Sequence, residues 1–586
     1  MKYTAIKTFF NSLNIYTEES KLRKAFEVAS KGGVAVDLEA FLQLYRKVTR
    51  RKELVQLFMN YCDLRRNITV DSLVLFLQKE QMEVTAGEKF AKLLTSRFAR
   101  NMAERKDARL SYDGFLAYLL SPDGDIFNKK HHSVYQDMNQ PLSNYFINSS
   151  HNTYLVQDQL VGASSIQGYL SSLRDGCRCV EIDCWDGPQN EPIVYHGKTL
   201  TSRITFRNVI RAINQEAFVI SKFPVVLSLE NHCSFEQQKT MARHLKNILG
   251  KRLLTTTLDG DVPHQLPSPS DLRERFLIKG KRVGSIKDDI RKYKSSMKGG
   301  TRVEKEEKQS QGASHKLQTV PEELSNLVVY MKSIHFNDLA SAQAEQKCYM
   351  MSSLNESKAK KVSTAGGANF VSYTRSNIVR IYPLQTRIDS SNYNPVDLWN
   401  YGCQMVALNF QTAGIPMDLN RGFFRNNGRC GYVLKPSFMT DGHCKFSPDQ
   451  PTFSARKGVE LGIKIISAQN IQFSRGDIVV RAEVHGVPDD NYTSETIPME
   501  NKCYNPTWNE VLYFTIRVPE LAILRLAVEG RAFIIGRTLL GQVTLPFTSV
   551  KSGFRHAHLL DKDGSPILGS TLFLYIWYHS RMDLEQ

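Results

Sequence analysis

The middle of the chain alternates short apolar runs with helical stretches, and this texture restricts the possible folds more than any other feature. It runs from Tyr145 to about Lys281 and resumes from about Leu324 to Leu434. Such alternation indicates βα units around a parallel sheet. Between the two halves, residues 298–316 carry almost no apolar side chains and cannot contribute to a core. We therefore predict one α/β domain that is interrupted by a disordered insert.

The first 123 residues or so have a helical pattern, with apolar side chains at three- and four-residue spacing. One such group is Leu22, Phe26 and Val28. Residues 26–41 have the outline of an EF-hand, with Gly33 at the turn and Glu39 at the last ligand position. The earlier ligand positions hold Val28, Ser30 and Gly32, so we expect structural helix pairs here. From about residue 458 onward, alternating strands with Gly and Pro turns predict a β-sandwich.

Composition indicates a folded protein with an anionic partner. A length of 586 residues predicts about four domains. Lys and Arg total 76 against 59 Asp and Glu, which gives a net charge of +17. The ten cysteines are scattered, and the first residues lack the apolar core of a secretory signal, which predicts a reducing compartment. No run approaches the roughly 18 apolar residues of a membrane span, so we expect membrane contact to be peripheral.

Polar residues stand where the apolar strands of the middle domain stop. In Cys179–Trp185, strand alternation directs Glu181 and Asp183 to the same side. Glu230 follows the run 224–229, His196 follows 193–195, and His151 and Asn152 come soon after 145–147. Strand ends of a parallel barrel converge at one mouth, where the catalytic groups of such barrels lie. A single acid at a strand end is more often an ion-pair or capping group, but the recurrence here favours a site.

The candidate metal ligands offer only oxygen atoms. They are Asn152, Glu181, Asp183 and Glu230. Such a set suits a hard cation, with calcium preferred over magnesium, and argues against zinc or copper. His151 and His196 would flank the cation, where imidazoles can transfer protons and stabilise charge on a phosphoryl group.

Several long motifs resemble the eukaryotic phosphoinositide-specific phospholipases C. SSHNTYL (149–155), CRCVEIDCWDG (177–187), EPIVYHG (191–197) and VVLSLENHCS (225–234) are similar to the X region of that family, and SSNYNPVDLWNYGCQMVALNFQT (390–412) is similar to its Y region. The resemblance covers nearly the whole chain. It implies a multidomain fold with an α-helical EF-hand region, a split TIM-like (β/α)8 barrel made of X and Y halves, and a C-terminal all-β C2 sandwich.

The resemblance also implies domain boundaries and a class. We expect an EF-hand-like region at 1–125, the X half at 136–285, a disordered basic X–Y linker at 286–322, the Y half at 323–440 and the C2 domain at 456–582. The basic linker and the expected lack of a PH domain make the chain most similar to the zeta (sperm) class. The alternatives are a delta-class enzyme without its PH domain and a catalytically inactive phosphoinositide-binding scaffold. Nucleic-acid binding is disfavoured because no reading motif is present.

Carried over position by position, the resemblance implies roles for individual residues. The catalytic residues would be His151, His196, Glu181 and Glu230, and the calcium ligands Asn152, Glu181, Asp183 and Glu230. The substrate phosphates would be held by Lys279, Lys281, Ser353, Arg380 and Tyr382. The implied reaction is calcium-dependent hydrolysis of phosphatidylinositol 4,5-bisphosphate to inositol 1,4,5-trisphosphate and diacylglycerol through a cyclic phosphodiester, which raises intracellular calcium. Similarity to the zeta class implies egg activation at fertilisation.

The expected partner is phosphatidylinositol 4,5-bisphosphate in anionic membranes. We expect a monomer that is cytoplasmic and peripherally membrane-associated, and the basic linker also suggests a nuclear location. Family members present an apolar ridge to lipid. Here Leu160 and Leu200 remain, whereas Lys198 and Thr386 replace aromatic side chains. We therefore expect shallow insertion, with docking aided by the linker and by a basic cluster of Arg46, Lys47, Arg50, Arg51 and Lys52.

Overall fold

A computed structural model describes residues 1–13, 15, 17–160, 162–197, 199, 201–284, 320–450, 458–472, 476–500, 504–532 and 536–580. The chain forms two compact units. The first joins the amino-terminal helices, up to His131, to the carboxyl-terminal strands, and the second begins at His132 and contains the middle of the chain. No helix in the described ranges is long and apolar enough to cross a membrane.

The amino-terminal region of the first unit is helical. Its helices are Tyr3–Ser12, Glu19–Ser30, Leu38–Thr49, Lys52–Met59, Val70–Lys79, Glu88–Phe98, Met102–Lys106 and Tyr112–Leu120. Side-chain caps fix several helix starts, as where the Asp37 carboxylate accepts from the backbone N–H of Ala40 over 2.8 Å. Leu22 and Phe26 are buried in a core with Phe10 and Leu44. The predicted helical packing is therefore present, although Val28 is 62% exposed.

One member of the predicted basic cluster does not face solvent. Arg51 is buried and forms an ion pair with Glu53 over 2.9 Å. Its guanidinium also contacts His556 Nε2 (2.7 Å) and donates to Ser467 Oγ (3.1 Å), which both belong to the carboxyl-terminal strands. The prediction of a membrane role is therefore wrong for Arg51, because a side chain that holds two parts of the same unit together is not available to lipid headgroups.

The strands of the second unit, in chain order, are β1 (Tyr145–Ile147), β2 (Ser149–Ser150), β3 (Cys179–Trp185), β4 (Ile193–Val194), β5 (Ile204–Thr205), β6 (Val225–Asn231), β7 (Phe276–Gly280), β8 (Met331–Ile334), β9 (Met350–Asn355), β10 (Val379–Tyr382), β11 (Met405–Leu408) and β12 (Tyr432–Leu434). Eight of them close a parallel ring in the order β2-β3-β6-β7-β8-β9-β10-β11, with β11 pairing back to β2. The predicted TIM-like barrel is confirmed.

Helices lie between the barrel strands and after the last of them. They are Ile166–Arg174, Phe206–Glu216, Phe235–Leu249, Glu322–Ser325, Leu339–Glu345, Glu356–Gly366, Ala368–Ser376, Val396–Trp399, Ile415–Phe424 and Ser437–Thr440. Apolar faces of the first three pack against β3, β6 and β7 in one core that includes Val180, Val209 and Leu245. The predicted linker lies outside the described residues except for 320–322, where Val320 is buried in this core and a helix begins at Glu322.

Two runs that the sequence suggests as barrel strands lie outside the ring. β1 pairs antiparallel with β12, so the apolar run 145–147 is not a barrel strand. The barrel strand is the two-residue polar segment Ser149–Ser150, which is too short and too polar to show strand periodicity. β4 pairs antiparallel with β3 and β5, so His196 follows a hairpin strand beside the barrel.

The carboxyl-terminal strands of the first unit are all antiparallel. They are β13 (Val459–Gln469), β14 (Asp477–His485), β15 (Tyr492–Glu495), β16 (Thr507–Ile516), β17 (Ile523–Ala532), β18 (Gly536–Pro546), β19 (Gly553–Leu560) and β20 (Pro566–Ser580). Their order is β15-β14-β17-β18-β19-β20-β13-β16. Side chains such as Ile463, Val480 and Leu526 are buried together in one apolar core. The predicted all-β domain is confirmed.

Candidate active site

Three predicted carboxylates meet where β3 and β6 end. The parallel register places Asp183 opposite Glu230, with Glu181 two residues earlier on the same face of β3. One oxygen from each of the three groups lies within 4.8 Å of the others. Two ligands that each lie 2.3–2.6 Å from a calcium ion are at most about 5 Å apart. The spacing of these oxygens therefore fits a single calcium ion.

Asp183 has an oxygen available for a cation. Its Oδ2 accepts from the Tyr154 hydroxyl over 2.7 Å, whereas its Oδ1 is buried and has no hydrogen-bond partner within the described residues. Burial, and then the negative charges of Glu181 and Glu230, raise the pKa of Asp183 well above its usual range. A cation at this point would satisfy the unpaired oxygen and favour the carboxylate, so these groups fit the expected metal.

Glu181 is held in its charged form by neighbouring donors. Its Oε2 accepts from the backbone N–H of Asn152 (2.9 Å) and lies 3.0 Å from Arg380 Nη2. Burial opposes ionisation, but the charges of Arg380 and His151 outweigh it and lower the pKa of Glu181 to about 2. Asn152 adopts a left-handed φ of 40°, a conformation that asparagine tolerates better than most residues.

Both predicted histidines have one ring nitrogen fixed by an acceptor. His196 Nδ1 lies 2.7 Å from the backbone oxygen of Gln159, and His151 Nδ1 lies 2.9 Å from Asn409 Oδ1. Because the acceptor requires a proton on Nδ1, Nε2 is the nitrogen that carries no proton in the neutral form of each ring. His151 Nε2 lies 3.9 Å from Glu181 Oε2. Burial lowers the pKa of His151, while the charge of Glu181 opposes that effect.

Four of the five predicted phosphate-binding residues lie on the barrel strands β7, β9 and β10. Arg380 on β10 is in register with Ser353 on β9, and Arg380 Nε and Ser353 Oγ are buried without hydrogen-bond partners in the described ranges. Burial and then the charge of Arg380 lower the pKa of Lys279 on β7. The Tyr382 ring stacks on His151 with centroids 6.4 Å apart. Lys281 follows the end of β7 and is exposed.

The structure describes two of the four positions of the predicted membrane-facing ridge. Leu160 is 47% exposed and Thr386 is also exposed. Lys198 and Leu200 lie outside the described residues.

Sequence reasoning missed the residues that hold the predicted ones in place. Tyr154 and Asn409 lie inside the motifs 149–155 and 390–412. The sequence marks site residues by a charged or imidazole side chain at the end of an apolar strand, and neither of these two residues has that feature. Gln159 lies in a loop where no periodicity applies. Burial of polar groups next to a predicted ligand would have found all three, and burial of a loop residue is not evident from one sequence.

The barrel, the helical region and the antiparallel C-terminal domain define a multidomain barrel protein with acid–base groups and oxygen ligands at its mouth. Family models match four segments: "Phosphatidylinositol-specific phospholipase C, X domain" at 138–282, its "Y domain" at 324–438, "Phosphoinositide-specific phospholipase C, efhand-like" at 44–129, and "C2 domain" at 459–561. The X match contains both histidines and all predicted calcium ligands, and the Y match contains Ser353, Arg380 and Tyr382.

Similar proteins cover nearly the whole chain. The 1-phosphatidylinositol 4,5-bisphosphate phosphodiesterase delta-4 of Xenopus laevis is 45% identical over 593 residues, 98% of this chain and 78% of that protein. The corresponding zeta-1 enzyme of Rattus norvegicus is 40% identical over 585 residues, 93% of this chain and 90% of that protein. The crystal structure of L. pealei PLC21 has a TM-score of 0.82 at 32% identity, and the match covers 98% of this chain and 76% of that one. The chain belongs to the phosphoinositide-specific phospholipase C family and is an enzyme of that family.

Proposed function

We propose that the enzyme hydrolyses phosphatidylinositol 4,5-bisphosphate in a calcium-dependent reaction. The products are inositol 1,4,5-trisphosphate and diacylglycerol, formed through a cyclic phosphodiester, and their release raises intracellular calcium. The observation that carries this proposal is the convergence of three carboxylates within 4.8 Å, with two imidazoles and a buried arginine in the same barrel mouth. The names of the delta-4 and zeta-1 relatives support the choice of lipid.

Asn152, Glu181, Asp183 and Glu230 hold the calcium ion in this proposal. When bound, the ion supplies positive charge that favours ionisation of the inositol 2-hydroxyl and offsets charge that develops at phosphorus. The support is the oxygen-only donor set and the unpaired Oδ1 of Asp183.

The remaining residues of the site move protons and stabilise charge. Glu181 or Glu230 takes the proton from the 2-hydroxyl. His196 donates to the departing diacylglycerol oxygen from Nε2, since its Nδ1 is engaged by a backbone carbonyl. His151 Nε2 stabilises the phosphoryl oxygens, and its partner Asn409 keeps the ring in the required tautomer. Water, activated by the same groups, then opens the cyclic intermediate.

Selection of the phosphorylated ring is assigned to Lys279, Lys281, Ser353, Arg380 and Tyr382. Lysine and arginine cations with hydroxyl donors bind phosphate through charge-assisted hydrogen bonds. The buried and unpaired Arg380 Nε and Ser353 Oγ are donors that ring phosphates would satisfy.

The experiment is hydrolysis of vesicles that contain the bisphosphate lipid, with free calcium buffered across the micromolar range. Trisphosphate and diacylglycerol should appear in equal amounts with calcium and fall to background with chelator. Vesicle binding without turnover at any calcium concentration would instead support the inactive scaffold.

The cellular setting is part of the proposal. The enzyme acts as a monomer at cytoplasmic anionic membranes, with peripheral contact through the C2 domain and the basic linker, and the linker also directs it to the nucleus. Egg activation follows from the zeta resemblance, and the match that spans 90% of the rat zeta-1 enzyme supports it. The 45% identity to a delta-4 enzyme supports the delta alternative. Delivery of the enzyme into unfertilised eggs distinguishes the zeta role from the delta alternative, because the zeta role predicts repeated calcium transients.

A further inference from the structure

Gln159 lies in the loop after β2, between the predicted histidines and the predicted calcium ligands. The residue is only 6% exposed. Its backbone N–H donates to the oxygen of Ile388 (3.1 Å), and its backbone oxygen accepts from His196 Nδ1 (2.7 Å). Its side chain accepts at Oε1 from Asn152 Nδ2 (2.7 Å) and donates from Nε2 to Ser390 Oγ (2.8 Å). A buried amide with these partners has a single favourable orientation.

The side-chain oxygen of Gln159 determines how Asn152 is presented. Because Nδ2 of Asn152 donates to Gln159 Oε1, the amide of Asn152 cannot flip without losing a buried hydrogen bond. Oδ1 is then the end of Asn152 that is left for a cation. The orientation of this predicted calcium ligand therefore depends on the side chain of Gln159.

The side-chain nitrogen of Gln159 is linked to His151 through the side chain of Asn409. Gln159 Nε2 lies 3.4 Å from Asn409 Oδ1, the atom that also accepts from His151 Nδ1. Asn409 Nδ2 donates to the backbone oxygen of Ser391 (3.2 Å), which fixes which end of its amide faces His151. Gln159 thus contacts, directly or through Asn409, residues from three separate segments of the barrel.

We propose that Gln159 is a positioning residue of the active site. Its side chain orients Asn152 and, through Asn409, His151, and its backbone carbonyl orients His196. This inference rests on the proposed function, since it assigns Asn152 to calcium and the two histidines to the reaction. Gln159 itself touches neither the ion nor the reacting atoms.

The test is Gln159→Met, which keeps the length of the side chain and the backbone carbonyl but removes the side-chain hydrogen bonds to Asn152, Ser390 and Asn409. We expect kcat to fall by about 10- to 100-fold and the calcium concentration for half-maximal rate to rise by about 10-fold, as for other residues that orient metal ligands. KM for the lipid should stay within about twofold, because Gln159 contacts none of the predicted phosphate-binding residues. Calcium binding by the full chain, measured by titration calorimetry without lipid, should weaken in parallel.

The matched control is Gln411→Met. Gln411 Nε2 donates to the same serine, Ser390 Oγ, and to the backbone oxygen of Gln157, both over 3.2 Å. Neither contact involves a predicted catalytic residue or calcium ligand, so kcat and calcium binding should stay within about twofold of the wild type. Equal losses in the two variants would overturn the proposal, as would wild-type kcat and calcium binding in Gln159→Met.

A second variant keeps the test decisive if Gln159→Met does not fold. Gln159→Glu retains an acceptor for Asn152 but replaces the donor that faces Asn409. We expect calcium binding within about threefold of the wild type and a kcat lowered by at least about 10-fold, and an unchanged kcat would overturn the proposal. A wild type that binds calcium without hydrolysing lipid would overturn the proposed function, while the calorimetric comparison would still test the orientation of Asn152.

Discussion

At the scale of single residues, the sequence predicts the charged groups of the site and misses the neutral groups that orient them. Strand alternation is sufficient to place Glu181 and Asp183 on one face, and the register with β6 adds Glu230. The Tyr154 hydroxyl is different, because its contact with Asp183 joins a loop to a strand 29 residues away. Contacts of this kind depend on tertiary packing and leave no local pattern.

Tyr154→Phe should weaken calcium activation. The hydroxyl of Tyr154 lowers the pKa of Asp183 against the larger effect of burial, so its removal should raise that pKa further and make calcium compete with a proton. We expect the calcium concentration for half-maximal rate to increase by about 10-fold. The increase should be larger at about pH 6 than at about pH 8, since the protonated carboxyl is more populated at low pH.

Tyr169→Phe is the control for this prediction. Tyr169 is equally buried, but its hydroxyl donates to the backbone oxygen of Glu181 (2.9 Å) and not to a carboxylate. Calcium titrations of lipid hydrolysis at both pH values compare the two variants. Identical calcium dependence in both would show that the contact with Asp183 has no special role.

At the scale of elements, periodicity predicts long segments well and short ones poorly. The helical pattern of the first 120 residues and the alternation beyond residue 458 both match the structure. The barrel strand Ser149–Ser150 has two polar residues and no apolar signal, while the apolar run 145–147 pairs outside the barrel. Closure of the barrel requires hydrogen bonds between β2 and its neighbouring strands β11 and β3. A two-residue strand can supply these bonds, although its sequence does not indicate a strand.

Phe26 and Val28 test the helical assignment within one helix. Phe26 is buried with Leu22, whereas Val28 lies two residues further round the helix and is 62% exposed. Phe26→Ala should destabilise the amino-terminal helices by about 3–5 kcal/mol through cavity formation. Val28→Ala should change stability by less than about 0.5 kcal/mol. Thermal unfolding followed by circular dichroism measures both, and a comparable loss for Val28→Ala would contradict the observed packing.

At the scale of the whole molecule, the net charge of +17 favours binding to anionic membranes. We expect the X–Y linker to contribute to this binding, and it lies outside the described residues apart from 320–322. Of the second predicted contributor, the cluster at 46–52, Arg51 is buried in contacts within its own unit. Arg46, Lys47, Arg50 and Lys52 are exposed, so these four residues and the linker remain the predicted contributors to membrane binding.

Neutralising five linker residues should lower activity on anionic vesicles. The residues are Lys287, Arg291, Lys292, Lys294 and Lys298. Each basic residue near an anionic surface contributes roughly 1 kcal/mol, so vesicle sedimentation and turnover should both decrease, and added salt should reduce the difference from the wild type. Sedimentation that is insensitive to both changes would indicate a solvated tether, and increased activity would indicate autoinhibition.

We propose that the carboxylates at the ends of β3 and β6 form the calcium site of catalysis. Calcium titrations of bisphosphate lipid hydrolysis, with Asp183→Asn compared with Asp186→Asn, test this site. Asp186 lies three residues further along, is exposed, and accepts from Ser234 N and Oγ over 2.9 and 3.0 Å. We predict a loss of at least about 100-fold for Asp183→Asn and a change within about threefold for Asp186→Asn. Wild-type turnover and calcium dependence in Asp183→Asn would show that Asp183 does not hold the catalytic calcium ion.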